Sequence, residues 1–293
     1  MERSVSPDDS RSPAELPETR RRLRRFRFPV LFASLFVVML AVVGIDTLVA
    51  PVPLLALPIG IGLAVAGIVC YRRLSQVVEV RDDVPELAPE GRWSGLRKGV
   101  LLGFGLFCAM LLVILAFGGW GGMSWGSFAG FLGLAGMMAS VAVMEEVLFR
   151  GVLFRILEER AGTVISLVVS SLLFGATHLV NVNATPWGAL AIGLTGGTML
   201  AAAYTATRSL WFPIGLHFAW NFTHAGVFGI AVSGSDDVPN GLLHTTLAGP
   251  SVLTGGTFGP EASLIALLVC LVPTTLFLRR AARTGLIRPR PRS

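Results

Sequence analysis

The ionisable residues best placed to do chemistry in this chain are Glu145, Glu146 and Arg150, inside the apolar run Met144-Glu145-Glu146-Val147-Leu148-Phe149-Arg150-Gly151. A single ionised side chain at mid-membrane costs roughly 2.5–3.5 kcal/mol on insertion scales, so three so close together require partners or a function. Glu146 and Arg150 stand four apart in the order that favours pairing along one helix face. Glu145 points about 100° away from that pair. Its own four-apart neighbours, Val141 and Phe149, are apolar, so it needs a partner from another helix. A carboxylate desolvated in this way is a candidate general base.

Two further groups of residues are placed to meet it. Phe174-Gly175-Ala176-Thr177-His178 lies on the next apolar span. Glu145 and His178 are equidistant from a turn expected at Arg160-Ala161-Gly162, where the glycine suits a helix end, so an antiparallel hairpin sets them at similar depth. Farther on, His217, Asn221 and His224 are spaced by four and three and form a polar stripe on one helix face. A lone intramembrane histidine is as often a hydrogen-bonded packing residue as a functional one. The convergence of Glu145, His178, His217 and Asn221 favours function.

The elements that carry these residues are membrane helices. Of 293 residues, 53% are hydrophobic and 14% charged, and the mean hydropathy of +0.70 belongs to an all-α polytopic membrane bundle rather than a soluble domain. Apolar spans fall at 28–50, 53–71, 99–118, 127–149, 163–181, 187–206, 209–230 and 262–278, giving about eight transmembrane helices. All 24 Lys and Arg residues then lie in the N-terminal tail, the 72–98 connection, the 150–160 segment, at Arg208 or in the C-terminal tail. By the positive-inside rule this places both termini in the cytoplasm of a multi-pass cell-membrane protein. The expected divisions are a disordered basic tail over 1–27, a transmembrane hairpin with its cytoplasmic connector over 28–98, a core over 99–279 and a basic tail over 280–293.

The isoelectric point near 10.2 is explained by juxtamembrane charge, which orients the chain and attracts anionic lipid, so nucleic acid is not an expected partner. Cys70, Cys108 and Cys270 lie within apolar spans and suit packing rather than disulfides or a cysteine metal site. Asp46 reads as an interfacial carboxylate, and 72–98 as a solvated connector. Glycines four apart, such as Gly99 and Gly103, allow close helix approach. The 231–261 connection could cover part of the bundle.

In order, Glu145-Glu146…Arg150, Phe174…His178 and His217…Asn221 resemble the CPBP (Abi) family of membrane proteins, which includes the type II CAAX prenyl endopeptidases and bacteriocin-processing proteins. The resemblance covers about residues 127–225, and Gly255 to Ser263 looks like the approach to the family's last helix. It implies peptide-bond hydrolysis in the membrane. Glu145 would be the base on a water shared with His178, His217 and Asn221 would donate to the oxyanion, and Glu146 with Arg150 would support Glu145. A metal version would hold Zn²⁺ between His178 and His217, with Glu145. The His-Glu-x-x-His helix of many zinc proteases is absent. The implied substrate is a membrane-associated peptide or protein, prenylated or leader-type. Two other classes compete: a catalytically silent scaffold or immunity protein, and a proton-coupled transporter. For the transporter, inverted repeats and paired broken helices are not evident.

Overall fold

The computed structural model describes residues 24–235 and 240–291. Most of the tail expected over 1–27, and the end of the C-terminal tail, lie outside the described residues. The chain is an all-α bundle with one small sheet, in the order α1 (Arg27–Val49), α2 (Pro53–Glu79), α3 (Arg92–Ala116), β1 (Trp120–Trp125), α4 (Phe128–Glu146), α5 (Arg155–Thr177), α6 (Pro186–Ile192), α7 (Thr198–Thr207), α8 (Trp211–Phe222), β2 (Leu243–Leu247) and α9 (Leu264–Arg283). Wider π-helical turns at Val147–Phe154, Gly193–Gly197 and Thr223–Val227 join α4 to α5, join α6 to α7 and extend α8. Such turns are rare, and they recur at functional sites.

Six helical stretches among the described residues are long and apolar enough to cross a membrane. One of them, Phe128–Val180, is a hairpin, because Gly162 (φ 77°, ψ 168°) breaks the helical path in a backbone region that disfavours a side chain. α8 falls short of a full span. It is buried on nearly all sides, as a helix apolar all round must be when it sits at the centre of a bundle.

Packing fixes what surrounds the candidate site. α2 lies along α4, and α3 along α8, where a Cβ at Gly99 or Gly103 would collide with the Phe212 or Leu216 carbonyl. α8 is thereby seated at backbone distance from α3, the small-residue contact that membrane helices use when burial from water gives no drive.

Three regions differ from their sequence-based reading. The connector after α2 is packed rather than solvated. Val84, Glu86 and Leu87 are buried, and the Glu86 carbonyl accepts from Leu210 N at 2.8 Å. Its charges find one another instead of water: Arg155 reaches Glu79 at 2.6 Å, and Tyr71 and Arg81 both donate to Glu86. Burial alone would raise the Glu86 carboxyl, but the Arg81 and Arg155 guanidiniums outweigh it and hold the group below the usual glutamate range. Asp46, read as an interfacial carboxylate, is packed inside the protein at 3% exposure, where it accepts from Ser140 Oγ of α4 at 2.5 Å. The 231–261 connection supplies β2, which pairs antiparallel with β1, two strands that apolar periodicity did not announce.

Candidate active site

Glu146 and Arg150 are the buried foundation of the site, 0% and 1% exposed. Arg150 Nη1 donates to Glu146 Oε1 at 2.7 Å, and its Nη2 donates to the Gly197 carbonyl at 3.1 Å in the π-helical turn between α6 and α7. The guanidinium also stacks over the Phe174 ring at 4.6 Å. One cation therefore ties together α4, α5 and the α6–α7 segment. Its desolvation is offset by a carboxylate, a carbonyl and an aromatic face.

The same Glu146 Oε1 receives His217 Nδ1 of α8 at 2.9 Å. A carboxylate oxygen can only accept there, so Nδ1 carries the proton, and Nε2 is the nitrogen left for other chemistry. That Nε2 lies 3.7 Å from Glu145 Oε2. Glu146 thus has a second task that the sequence did not signal: it orients the histidine as well as pairing with Arg150.

His178 sits where α5 ends. Its Nδ1 donates to the Phe174 carbonyl at 2.9 Å, which by the same reasoning leaves Nε2 as the free nitrogen. Phe174 packs against both histidines, with ring centroids 5.1 Å from His178 and 6.0 Å from His217. It spaces the two rings.

Glu145, His178 and Asn221 line one cavity of about 490 Å³, within the range of a small-molecule site. Its other walls come chiefly from α1, the middle and C-terminal part of α4 and the 232–235 loop. No direct hydrogen bond joins Glu145 to His178 among the described residues, so the two face a shared space, and His217 is the histidine nearer Glu145. Hairpin symmetry set the depth of Glu145 and His178, but helix rotation, which symmetry leaves open, set their facing. A second cavity of about 20 Å³, room for a single water, is bounded by His178, His217, Trp220, Asn221, Ser233 and Glu261.

His224 shares a helix face with His217 and Asn221 yet borders neither cavity. It is fully buried against Phe107, at 4.8 Å between ring centroids. No group of three or more His, Cys, Asp or Glu side chains among the described residues is arranged to hold a metal ion.

Two contributors were missed. Glu261 is buried and accepts from Trp220 Nε1 at 2.8 Å and from Ser233 N and Oγ, both at 2.8 Å. The Ser233 carbonyl in turn accepts from Asn181 Nδ2 at 2.6 Å. A lone carboxylate before the last apolar span was the available signal for Glu261; the 232–235 loop carried none.

Residues 126–223, the segment that carries every site residue named from the sequence, match the family model described as type II CAAX prenyl endopeptidase Rce1-like. No curated protein and no solved structure matches the chain.

Proposed function

We propose that this chain, a multi-pass membrane protein whose core segment is that of a CAAX-type endopeptidase family, hydrolyses a peptide bond with a water activated by Glu145. The observation that carries this reading is the convergence of Glu145, His178 and Asn221 on one cavity, with His217 Nε2 3.7 Å from Glu145. Glu145 takes a proton from water as the oxygen attacks the scissile carbonyl. The free Nε2 of His178 accepts a hydrogen bond from the same water and orients it. The Asn221 amide donates to the tetrahedral oxyanion, and His217 Nε2 joins it when the ring is doubly protonated. Collapse of the intermediate breaks the C–N bond, and Glu145 returns its proton to the leaving amine. One water is consumed, and an acid and an amine are released.

Glu146 and Arg150 act through others: Glu146 fixes the His217 tautomer, and Arg150 holds Glu146. The substrate we assign is a membrane-associated peptide bearing a large apolar group, such as a prenylated tail, because most of the cavity wall is hydrocarbon. The test uses the purified full chain in proteoliposomes with a prenylated peptide. Cleavage that Glu145→Ala and His178→Ala abolish, with helical circular dichroism retained, is the expected result. Equal cleavage by both variants overturns the assignment. A folded protein inert toward prenylated and leader peptides favours a scaffold, in which Arg150, Glu146 and His217 serve only to knit helices.

A further inference from the structure

The large cavity extends away from Glu145 between α1 and α4, and α1 lies wholly outside the segment shared with the protease family. Its α1 wall is Phe36, Met39, Leu40 and Val43, one stripe at helical spacing, with Val42 beside them. Opposite them, the lining of α4 runs from Leu134 to Glu145, eleven helical rises or about 16 Å. The polar lining comes from the other side: the ends of α4 and α5, α8 and the 232–235 loop.

This division selects the occupant. An extended peptide lying along the α1 wall would leave its N–H and C=O groups without partners, at about 1–3 kcal/mol each. A hydrocarbon chain incurs no such cost. Met39, Met137 and Met138 give the wall side chains that adapt to the shape of a flexible chain. A buried hydrogen bond from Ser140 of α4 to Asp46 of α1, one turn beyond Val42 and Val43, ties the two walls together.

We propose that α1 is the specificity element of this enzyme: its Phe36–Met39–Val43 stripe, clipped to α4 through Asp46 and Ser140, sets the length of the hydrocarbon group that the cavity accepts beside the scissile bond. The inference rests on the proteolytic reading given above. It locates substrate choice in the part of the chain that the family segment does not include.

Three peptides of one sequence, carrying an S-butyl, S-decyl or S-hexadecyl cysteine beside the cleaved bond, test it with the full chain in proteoliposomes. Val43→Trp should lower the ratio of kcat/KM for the S-decyl over the S-butyl peptide by about tenfold, since filling an apolar site penalises the longer chain. Met39→Ala should raise the S-hexadecyl to S-decyl ratio, and Asp46→Ala should flatten the preference among all three. Ratios that stay the same in every variant overturn the proposal. A second measurement needs no turnover: an S-decyl peptide with a diazirine at the chain end, irradiated with the Glu145→Ala protein, should label residues 36–43. Labelling confined to other helices also overturns it. Labelling of α1 without cleavage by the unsubstituted protein refutes proteolysis and leaves the length selection standing. Cleavage with length-independent variants does the reverse.

Discussion

At the scale of the residue, the two adjacent glutamates have separate environments and should fail differently when changed. Glu145 borders the cavity with a 20% exposed side chain, whereas Glu146 is fully buried between Arg150 and His217. Glu145→Gln removes the base and should lower kcat by about 10²–10⁴-fold while leaving the thermal midpoint in detergent close to the parent value. Glu146→Ala leaves the Arg150 guanidinium buried without its carboxylate and should cost roughly 3–5 kcal/mol of stability, read as a large fall in that midpoint. The i,i+4 spacing of Glu146 and Arg150 was legible in the sequence, because helical geometry alone makes those side chains neighbours. The contact from Glu146 to His217 was not, since it joins residues 71 apart and depends on how α8 is rotated against α4.

At the scale of the element, the connector after α2 is where sequence and structure part most. Charge and proline suggested a solvated loop, yet Glu79 and Glu86 are buried against Arg81 and Arg155. Composition cannot distinguish charges that face water from charges that neutralise one another, because that depends on which cations the fold delivers. The lowered Glu86 pKa has a definite consequence. A carboxyl held below its unfolded value of about 4.3 contributes stability above that value, and the contribution disappears as pH falls through the lower folded value. The thermal midpoints of the parent and Glu86→Gln proteins should therefore differ most above about pH 5 and converge as the solution is acidified. A pH-independent difference would count against the ion-pair account. α3 and α8 supply a second element-scale test. Gly103→Leu inserts a side chain where only backbone fits, so it should displace α8 and abolish cleavage together with thermal stability.

At the scale of the whole molecule, the basic residues that orient the chain are gathered at one end. Arg27 pairs with Glu79 and Glu159, Arg208 and Arg288 pair with Glu158, and the tail crosses the break at Gly162 in α5, where Thr163 N donates to the Arg288 carbonyl at 3.0 Å. The β1–β2 ribbon, with exposed Trp120 and Trp125, joins connections that the charge rule assigns to the other side. We propose from this arrangement that both termini are cytoplasmic. In a cysteine-free background, Thr284→Cys should react with an impermeant maleimide only in inside-out vesicles, and Trp125→Cys only in right-side-out ones. Labelling of both from one side would refute that orientation.

The sequence by itself determined that this chain is a membrane helix bundle, which residues are costly in lipid, and where the turn at Gly162 falls. Those properties follow from apolar run length, the desolvation of charge and the backbone freedom of Gly162, all local to the chain. Tertiary structure alone decided that His217 rather than His178 stands nearest Glu145, that His224 turns away to Phe107, and that Asp46, Glu86 and Glu261 are buried and paired. Each of these depends on the rotation and lateral placement of helices about one another. Without a hydrophobic drive between helices in lipid, those are set by small-residue contacts and buried hydrogen bonds between segments far apart in the chain.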